Sequence, residues 1–184
     1  MEAPGTAGAL IRPYAGVWPR IGRDVFVAPG ATIVGDVEIG DGASIWYGCV
    51  LRGDVAAIRV GANSNIQDGT IVHVSGRQPG IADIGDNVTV GHKVIIHACT
   101  LEPGCFIGMG AIVMDRAVIE SAAMVAAGAL VTPGKRVPRG QLWGGSPAVY
   151  MRDLTAEEID YNAATIGRYG ALAANHKGSA KGTG

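Results

Sequence analysis

The stretch VGHKVIIHACT sets His92 and His97 five residues apart, and a third histidine, His73, precedes them in IVHV. Imidazole is the commonest metal-ligating side chain, and three neutral imidazoles on one ion leave a fourth position for water, the pattern of a catalytic zinc site. The spacing fits no regular element. Five residues of α-helix turn through roughly 500°, leaving the two side chains about 140° apart, and on a plain strand an odd spacing sends them to opposite faces. Either the histidines are unrelated or the fold assembles them in some other way. Polar residues cluster just upstream, with Arg52 and Asp54 in LRGD and Asn65, Gln67 and Asp68 in NIQDGTIVHV. The fourth histidine, His176, falls near the expected frayed end of a C-terminal helix and reads as an ordinary surface residue.

The elements that position these residues follow from composition and period. The chain has 184 residues, 48% of them hydrophobic, and a formal charge of −1, so one domain with a real core is expected and nothing favours nucleic acid or membrane partners. Glycine contributes 29 residues and aromatics only 5%, a profile of many turns and short strands. The N-terminal MEAPGTAGALIRPY has no signal-peptide pattern, and three cysteines without CxxC spacing suggest a reducing compartment, so a cytoplasmic protein is expected. All three cysteines fall at or near corner positions of the repeat described next and read as small core residues rather than ligands.

Aliphatic residues recur every six positions: Ile21, Val27, Ile33, Ile39, Ile45 and Leu51, then Val60, Ile66 and Val72, then Ile84, Val90 and Ile96, and after a one-residue deletion Leu101, Ile107, Val113, Ile119, Val125, Val131 and Val137. Small residues such as Ala31, Ala43, Cys49, Ala111 and Ala129 follow four positions later, and glycine often follows directly. Period six is neither the helical 3.6 nor the strand 2. It suits a coil of three short strands per turn, a left-handed parallel β-helix in which each hexad is one side of a triangular prism and the key aliphatic fills its axis. The class is therefore mainly β. The β-helix domain is expected over 1–150 with a lead-in at 1–20, a C-terminal α-helix over 151–177 with Thr155 and Glu158 as its capping box and Ile159, Ala163, Ile166 and Tyr169 on its inner face, and a disordered tail at 178–184.

If the extra residues at 55–59 and 75–83 are loops that consume no side, the hexads of Ile33, Leu51, Val72 and Ile96 share one side, C. Arg52, His73 and His97, each directly after a key aliphatic, then stack on that face. His92 and Gln67 fall on the adjacent side, B. One prism cannot readily bring His92 to its own His73 and His97, but three prisms around a threefold axis can, because side C of one chain then meets side B of the next. The expectation is a homotrimer with three shared sites.

Together, LRGD, NIQDGTIVHV and VGHKVIIHACT resemble the γ-class carbonic anhydrase family over residues 10 to 176, and GSPAVYMR is similar to the exit segment of many hexapeptide-repeat proteins. The resemblance implies a trimeric lyase interconverting carbon dioxide and bicarbonate, with His73, His92 and His97 as ligands of Zn2+, or of Fe2+ or Co2+. A doubly charged ion on three imidazoles can bring the pKa of bound water from 15.7 to about 7, so that a metal-bound hydroxide attacks carbon dioxide. Gln67, with Asn65 in the same polar patch, would hydrogen-bond the reacting oxygen, Arg52, Asp54 and Asp68 would serve the subunit interface, and Tyr169, ahead of Tyr161, could help carry protons. Two departures stand out: Val55 follows Asp54 where some members carry glutamate, and the loop SGRQPG has no carboxylate, so a fast proton relay lacks an evident carrier and activity could be low. Two other readings share the fold. An acyl-CoA-dependent acyltransferase would need one histidine base rather than three ligand-like histidines, and a non-catalytic assembly subunit would have lost them.

Overall fold

In the computed structural model, which describes residues 6–179, the six-residue period becomes a parallel β-solenoid of about seven turns with one C-terminal helix. Each key aliphatic stacks on its counterpart one coil away. On side C, Ile11 pairs with Ile33, Ile33 with Leu51, Leu51 with Val72, Val72 with Ile96, Ile96 with Val113 and Val113 with Val131. Side B carries Val27, Ile45, Ile66, Val90, Ile107 and Val125 in one ladder, and side A carries Ile21, Ile39, Val60, Ile84, Leu101, Ile119 and Val137. From Val27 to Val137 every key residue is at most 3% exposed, while Ile21 in the first coil is half-buried. The axis is thus a continuous aliphatic column, and the small corner residues, such as Ala31, Cys49 and Ala111, are buried with it.

The glycines that follow key residues are explained by close approach of the next coil. A Cβ on Gly40 would lie 2.7 Å from the Ala62 nitrogen, and one on Gly91 would lie 2.8 Å from the Met109 nitrogen. Neither position has room for a side chain.

The interruptions consume no side, as the register required, but they differ in kind. Residues 55–59 are not a loop: Val50–Val60 is one strand that rounds the corner from side C to side A, joining both sides into a twelve-stranded sheet. Its partner steps from Gly35 to Val37 while it steps from Gly53 to Ile58, so the three surplus residues bulge out of the ladder. The later excursion ends sooner than 83, since Ala82–Ile84 is already a strand. Within the lead-in, Leu10–Arg12 adds a strand to the start of side C.

The C-terminal boundaries move. Val149–Asp153 is an antiparallel strand closing side B, and helix α1 runs over Ala156–Ser179, so the start of the expected 151–177 helix is strand and Gly178 and Ser179 are helical. Positions 180–184 of the expected tail lie outside the described residues. The capping box forms as read, with the Glu158 amide donating to Thr155 Oγ1 at 3.2 Å and the Thr155 amide to Glu158 Oε2 at 3.0 Å. Helix α1 lies against the side B strands Phe26–Val27, Ser44–Ile45 and Thr89–Val90. Its inner face reads Ile159, Asn162, Thr165, Ile166, Tyr169, Ala173 and His176, whereas Ala163 is exposed. No described helix is long and apolar enough to cross a membrane.

Hydrogen bonds from Arg152 and the Thr155 amide hold the Glu158 carboxyl at about 2, well below its ordinary 4.5. A lowered folded value means stability that is present above about 4.5 and lost as the pH falls toward about 2. Wild type is expected to melt above Glu158→Gln at pH 7, with the gap closing through that window; parallel melting curves across it would contradict this.

Candidate metal centre

His73 and His97 occupy neighbouring rungs of side C, paired directly in the ladder, and Arg52 pairs with His73 one rung earlier. The rings face each other with His73 Nδ1 and His97 Nε2 3.2 Å apart. Their outer nitrogens are engaged: His73 Nε2 lies 3.1 Å from Asp54 Oδ1, and His97 Nδ1 lies 2.8 Å from Asp115 Oδ2. An ionised carboxylate has no proton to give, so each outer nitrogen is the donor and each inner nitrogen of a neutral ring presents a lone pair. Two opposed lone pairs call for a cation or a proton between them. Two ligands of a tetrahedral ion with bonds of about 2.0–2.1 Å sit about 3.3 Å apart, close to the observed gap, so the donor set and its spacing fit a divalent transition metal.

His92 stands on side B, two residues past Val90, and the structure does not bring it to the other two within one chain. Its Nδ1 lies 2.8 Å from Asp68 Oδ2, which leaves Nε2 as the outward nitrogen. Asp68 lies two residues past Ile66, one coil below, so the corner itself stacks the pair. All three histidines are thus oriented by carboxylates. Among the described residues no group of three or more His, Cys, Asp or Glu side chains could hold a metal ion.

The remaining predicted residues divide between the His73–His97 pair on side C and His92 on side B. Asp54 also ion-pairs with Arg52, a side chain half-exposed on side C. Burial pushes the Asp54 carboxyl up, but hydrogen bonds from Arg52 and His73 outweigh it and keep it below the usual carboxylate range. On side B, Gln67 Nε2 donates to Asn65 Oδ1 at 3.0 Å and Asn65 Nδ2 to Thr89 Oγ1 at 2.9 Å, and Asn65 and Gln67 are only 1% and 5% exposed. Tyr169 packs edge-on against Trp46 at 5.4 Å, and burial, followed by the charge of Asp68, raises its phenol. Tyr161 is exposed, under the Arg168 guanidinium.

Two participants were missed from sequence. Asp115 lies two residues past the key Val113, one coil above His97, and counting key residues would have placed it there. His176 is not frayed: its Nδ1 is 2.8 Å from the Tyr47 hydroxyl, in a nest with Phe26 and Trp46 that fastens the helix. The cysteines are free and buried, with burial pushing the Cys49 and Cys99 thiols up to about 11 and about 12, as expected of core residues rather than ligands.

Fold and repeat define a hexapeptide-repeat β-helix protein, and the bacterial transferase hexapeptide (six repeats) family matches residues 19–53. The chain is 55% identical over 164 residues to gamma carbonic anhydrase 2, mitochondrial, of Arabidopsis thaliana, covering 86% of this chain and 58% of that protein. It therefore spans less than two thirds of that relative's length. A probable carbonic anhydrase of Methanocaldococcus jannaschii is 55% identical over 139 residues, 76% of this chain and 86% of that one. The crystal structure of a hexapeptide transferase family protein from Anaplasma phagocytophilum superposes with a TM-score of 0.86 at 51% identity, covering 90% of this chain and 97% of that one. The chain belongs to the γ-class carbonic anhydrase family.

Proposed function

We propose that the protein is a metal-dependent carbonic anhydrase that interconverts carbon dioxide and bicarbonate as a homotrimer, each site taking His73 and His97 from one chain and His92 from the next. The observation that carries this reading is the His73–His97 pair, whose inner nitrogens converge at 3.2 Å while both outer nitrogens are held by carboxylates. Zinc fits the three-imidazole set, and Fe2+ or Co2+ would use the same ligands. When bound, such an ion acts as a Lewis acid that makes water nucleophilic near neutral pH.

The chain's own residues supply the rest. Asp54, Asp68 and Asp115 fix the three rings, so that little ordering remains on binding. Gln67 and Asn65, locked to each other on the His92 side, offer a rigid polar patch for the oxygens of bicarbonate. Arg52, in the histidine column, adds a positive charge toward that anion. Side C also carries Ile71 and Ile95 on the same rungs as the histidines, 44% and 38% exposed, an apolar pair that a second prism would cover. The loop at 75–80 has no carboxylate, so slow proton release and modest turnover are expected. The proposed compartment is the cytoplasm, whose reducing poise suits three free thiols.

Carbon dioxide hydration measured with added zinc, and with iron under anaerobic conditions, tests the activity. A rate above background that follows metal loading is expected. Silence with both metals at full occupancy would turn the reading toward a non-catalytic assembly subunit, and coenzyme A binding without metal would turn it toward acyl transfer.

A further inference from the structure

We infer that Asp115 is a positioning residue for the metal centre, holding His97 in the one tautomer and orientation in which its Nε2 faces His73. The inference rests on the ligand reading above.

Three observations carry it. The first is the contact itself, 2.8 Å from His97 Nδ1 to Asp115 Oδ2, the shortest of the links that run Asp54, His73, His97, Asp115 up side C. Carboxylate-to-imidazole hydrogen bonds of this kind set which ring nitrogen keeps its lone pair and raise that nitrogen's basicity.

The second is rigidity of the carrier. Asp115 sits at a corner whose backbone is tied to the coils on both sides, with the Arg116 amide donating to the Ala98 carbonyl at 2.7 Å and the Gly134 amide to the Asp115 carbonyl at 2.8 Å. Arg116 turns the corner with φ of +58°, directly above Ala98 at +46°. The carboxylate therefore comes from a fixed strut.

The third is the asymmetry between the two ends of the column. Asp54 divides its oxygens between His73 and Arg52, and it stands in the bulge of the long strand. Among the described residues, the one side chain hydrogen-bonded to the Asp115 carboxylate is His97, so no second side chain competes for it as Arg52 does for Asp54. The Asp115 side chain is 23% exposed and that of His97 30%, so both are partly buried.

Without this carboxylate the His97 ring could flip or take the other tautomer, presenting an N–H where the ion needs a lone pair. Asp115→Ala removes the acceptor. Asp115→Asn keeps a neutral oxygen that can still accept from Nδ1–H, so it separates orientation from charge.

The test is the zinc dissociation constant of each chain, measured by competition with a chromophoric chelator, together with the visible absorption of the cobalt(II)-loaded proteins, which reports ligand geometry. Asp115→Ala is expected to bind zinc about 10–100-fold more weakly than wild type and to shift the cobalt bands. Asp115→Asn is expected to recover most of the affinity and the wild-type spectrum. Wild-type affinity and spectrum in Asp115→Ala would overturn the inference. If Asp115→Ala fails to fold, Asp115→Asn against Asp115→Ser decides: equal affinities overturn the inference and weaker binding by the serine variant supports it. A wild-type chain that binds no metal would instead refute the ligand reading itself, and a wild type that binds zinc but does not hydrate carbon dioxide would leave Asp115 in place and remove only the activity.

Discussion

Mixing unfolded His92→Ala and His97→Ala chains in equal amounts and letting them reassemble is expected to restore metal binding and hydration at about one quarter of the sites, although neither variant alone has a complete one. The arithmetic follows from a shared site. A His92→Ala chain still presents His73 and His97 on side C, and a His97→Ala chain still presents His92 on side B. In any mixed trimer, about one of three interfaces joins an intact side C to an intact side B, and random assembly makes about three quarters of the trimers mixed. Metal content is the primary measurement and hydration rate the second. Sites built within one chain cannot complement, so a mixture as empty as its two parents would sink the shared-site arrangement while leaving each histidine free to be a ligand.

The largest expected effect on stability lies on the axis of the prism. Ile66 is fully buried, stacked between Ile45 and Val90, and the adjacent coils are held at fixed spacing by their ladder hydrogen bonds. A vacancy there can close only a little, so Ile66→Ala is expected to cost about 2–5 kcal/mol. For a domain of this size that is about 4–20 °C in melting temperature. Leu172→Ala serves as the comparison, since Leu172 is 44% exposed on α1 and alanine suits a helix, and its effect should stay within about 0.5 kcal/mol. Equal losses in the two variants would mean that the axial column is not what holds the coils together.

The same geometry accounts for how much was legible from residue types alone. The pattern of Ile, Val and Leu every six positions determined the prism, its axis and its corners, because each hexad makes the same local step whatever its neighbours do. It also placed His73 over His97 and put His92 on another side, since two interruptions that consume no side leave the phase intact. The family motifs added the metal and the reaction as expectations. The capping box at Thr155 and Glu158 was equally local and formed as read.

What only the tertiary structure decided lies between coils. Asp115 reaches His97 from the coil above, and Asp68 reaches His92 from the coil below. Counting key residues brings each carboxylate near its histidine, but the side-chain rotamers that turn the carboxylate oxygen onto a particular ring nitrogen are encoded by no spacing. The histidine nitrogens that face inward, the strand through 55–59, the side on which α1 packs and the docking of His176 against Tyr47 belong to the same class. A repeat specifies its own step through local sterics and burial, whereas contacts across the stack are set by the sum of all the steps between them.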